Sequence, residues 1–79
     1  GGTAMAICNA ANEIAVQAFL QREIGFADIS SVIEDTLSRT KVLEPTSLQV
    51  VKDSDSDARR IASDIVMNCI KRKKNLRKN

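Results

Sequence analysis

Ile29-Ser30-Ser31-Val32-Ile33-Glu34-Asp35-Thr36-Leu37 is the stretch that decides the fold class. Ile29, Val32, Ile33, Thr36 and Leu37 recur at i, i+3, i+4, i+7 and i+8, while Glu34, Asp35 and Ser38 fall on the opposite side. That is the narrow apolar stripe of a half-buried helix. Upstream, Phe26-Ala27-Asp28 supplies its start, with Asp28 placed to cap it and complement the helix dipole and Phe26 to staple across the first turn. Arg22 to Gly25 breaks the pattern before that, and Gly25 is assigned the left-handed position that ends the preceding helix. This earlier helix runs from Thr3, its expected N-cap, to about Gln21. Its face consists of Ala4, Ile7, Cys8, Ala11, Ile14, Ala15, Ala18 and Phe19.

Downstream, Ser38 to Thr46 reads as a connector, because Pro45 lacks an amide hydrogen and pushes Glu44 out of helical conformation. Ser47 to Lys52 is expected to add one short helical turn capped by Ser47, with Leu48 and Val51 pointing inward. Ser54-Asp55-Ser56-Asp57 then matches a Ser-x-x-acid helix start. Ala58, Ile61, Ala62, Ile65, Val66, Cys69 and Ile70 hold helical spacing for more than three turns beyond it. No segment alternates apolar and polar residues at period two, and no internal repeat is visible. The expectation is an all-α fold: a small bundle of three long helices plus one short helical turn, with residues 1–70 as one domain and 71–79 as a basic tail that continues or frays from the last helix.

A chain of 79 residues, 43% of them apolar, supports one small core and no second domain. The absence of His removes imidazole bases, His-ordered nucleophiles and His-containing metal sites. Phe19 and Phe26 are the only aromatic residues, so platforms for stacking bases lack their material. The longest apolar run, Ala4 to Cys8, is far shorter than a bilayer span. Cys8 and Cys69 suit buried, reduced positions in a cytoplasmic protein better than a disulfide or a metal knuckle. The opening Gly1-Gly2-Thr3, with no initiator Met and no signal-like segment, reads as part of a longer polypeptide.

Three constellations invite a chemical reading. Asp53, Asp55, Asp57 and Asp64 imitate a calcium loop, but Ala58 stands where its hinge glycine belongs and Ile61 already lies in the helical stripe, so helix capping is the better account. Asn9-Ala10-Ala11-Asn12-Glu13 places two amides inside a helix, which fits a structural network tying that helix to its neighbours. Residues 71–79 carry six cations and a charge of +6 against −4 for the first 70. Without interleaved aromatics this reads as a solvated helix end that complements the dipole. Glycines 1, 2 and 25 form no phosphate-cradling loop. No catalytic, cofactor-binding or metal-binding residue is therefore assigned, and neither nucleic acid nor membrane is expected as a partner.

Gly1-Gly2-Thr3-Ala4, Asn9-Ala10-Ala11-Asn12-Glu13-Ile14-Ala15-Val16 and Ala18-Phe19-Leu20 closely resemble the C-terminal part of the 1-deoxy-D-xylulose 5-phosphate reductoisomerase family. Ile24-Gly25-Phe26, Asp28-Ile29, Val32-Ile33-Glu34, Leu37, Pro45, Ser47-Leu48 and Asp55-Ser56-Asp57-Ala58-Arg59 follow in that family's order. The resemblance covers residues 1 to about 66. It departs at Met5, where the family often has Pro, at Gln49 and Val50, where an acidic residue is common, and in the basic extension after Ile70. It implies the C-terminal helical domain of an oxidoreductase that converts 1-deoxy-D-xylulose 5-phosphate to 2-C-methyl-D-erythritol 4-phosphate in non-mevalonate isoprenoid synthesis. NADPH and a divalent cation, Mn or Mg, are the implied cofactors of the complete enzyme, held by residues upstream of this chain. The implied partners are the catalytic domain of the same chain and a second subunit of a homodimer. The alternative is a free-standing helical interaction module whose basic tail recruits an anionic partner.

Overall fold

The computed structural model describes residues 2–77, which form an all-α bundle with the order α1 (Ala4–Leu20), α2 (Phe26–Arg39) and α3 (Leu48–Arg77). Among the described residues there is no strand. The bundle is a rod of 49 × 20 × 16 Å. Its length is that of α3, whose 30 residues rise about 45 Å.

Each helix packs against both others. The α1–α3 seam is built from small side chains: Ala10, Ala11 and Ala15 on α1 and Ala58 and Ala62 on α3 are all fully buried. Alanine costs no rotamer entropy in a helix and lets two backbones approach closely. Larger side chains fill the space where α2 joins the seam, with Ile24, Val32, Ile65, Val66 and Cys69 in one cluster and Ile7 beside Leu37 in a second. Within α2, Val32 takes the centre of the stripe and Ile33 sits half-buried at its edge. Thr36 is fully buried because its hydroxyl donates to the Val32 carbonyl at 2.7 Å. Cys69 is buried, Cys8 only half-buried, and both are free thiols.

Several expected caps are replaced by other devices. The left-handed residue that ends α1 is Arg22, at φ 62°, rather than Gly25, which is extended. Glu23 N–H donates to the Ala18 carbonyl and Arg22 N–H to that of Phe19, both at 2.9 Å, the paired bonds of a Schellman ending. Gly25 instead opens α2 as its N-cap. Phe26, the first residue of α2, is 76% exposed and makes an edge-on contact with Phe19, their ring centres 5.7 Å apart, in place of the expected staple. Thr3 does precede α1, but its hydroxyl makes no cap bond. It accepts Leu43 N–H at 2.9 Å while Thr3 N–H donates to the Leu43 carbonyl at 2.9 Å, which ties the connector to the start of the chain. Gly2 permits this approach: its φ is +61° and a Cβ there would lie 2.7 Å from the Leu43 carbonyl oxygen.

The short turn expected at Ser47 to Lys52 is helical and capped as expected, with Ser47 Oγ accepting Val50 N–H at 3.2 Å, but Leu48 does not point inward: as the first residue of α3 it is 69% exposed, and Val51 is half-buried. The turn is continuous with the last helix, so Ser54 is an interior residue of α3, buried with 8% of its surface exposed, and not a cap. Nothing between Lys52 and Ser54 breaks a helix, and interior Ser and Asp residues cost only a few tenths of a kcal/mol each, to about 0.7. The connector bends as Pro45 requires, with Thr46 N–H donating to the Glu44 carbonyl at 2.8 Å. The tail continues α3 as regular helix through Arg77; residues 78 and 79, like Gly1, lie outside the described residues.

Candidate functional site

The acidic residues of α3 begin in its second turn, at Asp53, so they neither cap it nor complement its first turn. Asp53 and Asp57 share a face one turn apart, and Asp55 points about 160° away from each. Asp53 Oδ1 accepts Gln49 Nε2 at 2.7 Å, and Asp55 takes Arg59 Nε at 2.8 Å. Among the described residues no three Cys, Asp or Glu side chains converge as a metal site would require.

Two charge contacts join the helices. Arg59 Nη2 reaches Glu13 Oε2 on α1 at 2.7 Å while its Nε holds Asp55, so one guanidinium bridges two helices. The hydrogen bonds that Arg59 donates, to Asp55 first and Glu13 second, hold it even more firmly protonated than usual. Lys73 Nζ meets Asp28 Oδ2 at 2.9 Å, and the same oxygen accepts Gly25 N–H at 2.7 Å. The Lys73 hydrogen bond, then that from Gly25, lowers the Asp28 pKa below its ordinary value. Glu13 is thus the one member of Asn9-Asn12-Glu13 that ties α1 to a neighbour. Asn9 and Asn12 are exposed, so the expected amide network within the bundle is not formed.

Those two Asn residues belong instead to an outer surface. Met5, Asn9, Asn12, Val16 and Leu20 follow one another at helical spacing on the side of α1 opposite its buried alanines. Met5 is 75% and Leu20 73% exposed. Asn12, Val16 and Leu20, with Glu13, Gln17 and Gln21, line an open groove on this surface. Sequence reading selected the inner stripe and passed over this one. The available signal was that α1 is apolar on two sides, a pattern of helices covered on both.

Residues 1–61 match the DXP reductoisomerase C-terminal domain family. This chain belongs to that family. A 1-deoxy-D-xylulose 5-phosphate reductoisomerase of Ralstonia nicotianae is 51% identical over 71 residues, covering 89% of this chain and 18% of the relative. Its counterpart in Rhodospirillum centenum is 52% identical over 66 residues (84% and 16%), and that of Ehrlichia ruminantium (Welgevonden) 55% over 60 (76% and 16%). The chain therefore spans under a fifth of the length of these reductoisomerases. The reductoisomerase match takes in α1, α2, the connector and the first half of α3, and with them Gly2, Thr3, Asp28 and Arg59. The basic end of α3 lies beyond residue 61.

Proposed function

We propose that this bundle is the C-terminal brace of a complete reductoisomerase that converts 1-deoxy-D-xylulose 5-phosphate to 2-C-methyl-D-erythritol 4-phosphate with NADPH and a divalent cation. In this reading it contributes no catalytic group of its own. The observation that carries it is the outer face of α1. Met5 and Leu20 are exposed and Val16 half-buried on a bundle whose core is already filled, and the chain is under a fifth of the protein its relatives form. An apolar stripe of this kind marks a surface that another part of the protein covers. Asn9 and Asn12 give that surface amides whose hydrogen bonds fix the geometry of the neighbour.

The donors of the described chain do not fit either implied cofactor. Among the described residues no three carboxylates or thiols converge, and Asp53, Asp55 and Asp28 are engaged by Gln49, Arg59 and Lys73. Gly2 and Gly25 are used against Leu43 and beside Asp28 rather than in a phosphate loop. NADPH and Mn or Mg accordingly belong to the remainder of the enzyme, a cytoplasmic homodimer in this reading. Calorimetric titration of the 79-residue chain with manganese and with NADPH is expected to show no saturable binding. The decisive experiment is on the complete enzyme: Val16→Asp and Leu20→Asp should lower melting temperature and the fraction of active protein while turnover per titrated active site and metal dependence stay near normal. Severe loss of turnover per site at an unchanged melting temperature would show that the domain takes part in the chemistry.

A further inference from the structure

The run of cations that closes the sequence has no interleaved aromatic and reads there as a solvated helix end with no membrane partner. Folding changes that. Arg22, Lys73 and Lys74 line one cleft with Ile70 and Glu23, where the α1–α2 turn meets the end of α3. Lys73 lies against the α2 start, 3.8 Å from where a Cβ on Gly25 would stand, so Phe26 sits at this same end. Leu76 follows Lys73 by one turn of α3. Phe26 and Leu76 are 76% and 75% exposed.

Lys71, Arg72 and Lys74 are exposed on regular helix, and the last turn of α3 continues about 6 Å beyond Lys73. Glu23 is the opposing carboxylate in the cleft, and Asp28 is already engaged by Lys73. Leu76 keeps the register of Ala58, Ala62, Ile65 and Cys69, so it extends the core stripe past the point where the bundle has anything to pack against it.

We infer that this end of the bundle is a docking surface for an anionic phospholipid bilayer, with the cations held at the headgroups and Phe26 and Leu76 entering the acyl boundary. A basic patch alone is attracted to any polyanion; exposed apolar tips among the cations gain from the acyl boundary and gain nothing from a nucleic-acid backbone. The contact is peripheral, since no helix of the described residues is long and apolar enough to cross a membrane.

Sedimentation of the complete protein with phosphatidylcholine vesicles, with and without phosphatidylglycerol, tests this. Retention is expected only on the phosphatidylglycerol vesicles, and it should disappear between roughly 0.05 and 0.5 M salt. Lys71→Gln with Lys74→Gln should weaken retention about fivefold per charge. Phe26→Ser with Leu76→Ser should weaken it as well, whereas Lys41→Gln with Lys52→Gln, at the other end of the rod, should leave it unchanged. All four side chains of the test pairs are exposed, and a thermal melt verifies that each variant folds. Absence of retention overturns the inference. So does equal retention of the Phe26/Leu76 pair, or equally tight binding to duplex DNA, since either result reduces the surface to a general polyanion attractant.

Discussion

The two sides of α1 are both apolar and use opposite kinds of residue. Facing α3, the helix presents Ala10, Ala11 and Ala15, all fully buried; facing away, it presents Met5 and Leu20, left largely to solvent, with Val16 half-buried between them. Small residues serve a contact already made within the bundle, where backbone proximity supplies the dispersion energy. Large flexible ones on the outside supply area to a surface not formed by these 76 described residues. The difference teaches that apolarity alone does not mark the core of this domain. Side-chain size separates the seam that the chain closes by itself from the face it keeps open.

The largest effect should come from emptying the inner side. Ile65→Ala, at a position 5% exposed, is expected to destabilise the 79-residue chain by about 3 kcal/mol in urea titration. Overfilling the seam tests the size argument directly: Ala15→Leu has no free volume to enter and should cost about 2 kcal/mol. Ile33→Ala sharpens the boundary, because its half-buried side chain should cost about 1 kcal/mol, clearly less than Ile65. On the outer side, Leu20→Ser should change the stability of the same chain by less than about 0.5 kcal/mol. If Leu20→Ser proves as damaging as Ile65→Ala, the outer face is part of the bundle's own core and the contrast collapses.

The smallest effects concern charge. The Asp28 carboxyl is lowered in the folded state, so its pair with Lys73 contributes fully above the ordinary aspartate value near 3.8 and is lost as pH falls through the lowered folded value. Asp28→Asn should flatten the acid limb of the stability profile below about pH 4 and leave its shape near pH 7 unchanged. Removing Lys74 onward should barely move the melting temperature, since it spares that pair; removing Lys73 as well should cost measurably more. Glu13→Gln, which breaks a bridge whose side chains are 40% and 63% exposed, should cost no more than about 1 kcal/mol and less in high salt.

Much of the bundle was legible in the sequence because helix faces are local. The spacing of Ile7, Ala11, Ala15 and Ala18, the start of α2 at Phe26, the connector around Pro45 and the cap at Ser47 depend on residues within a turn or two of one another, and all are where the pattern put them. The candidate surface was half legible. Asn9 and Asn12 stood out as costly inside a helix, but their direction depends on which side of α1 the other helices occupy, and no local pattern contains that.

What the sequence by itself determined, then, is the helical class, the three apolar stripes and the family, since these rest on periodicity and on strings of adjacent residues. Tertiary structure decided the rest wherever two segments compete for one group. Thr3 gave up its capping bond because Leu43 arrives 40 positions later to take its hydroxyl. Asp28 serves Gly25 and Lys73 on a single oxygen because α3 ends beside the start of α2. The left-handed turn fell to Arg22 because Glu23 and Arg22 had to reach Ala18 and Phe19, while Gly25 was needed one step later, where an added Cβ would stand 3.3 Å from Asp28 Oδ2. Ser54 became an interior residue because α3 had already begun at Leu48. Each outcome turns on a distance between parts of the chain that only packing brings together, and a one-dimensional pattern carries no such distance.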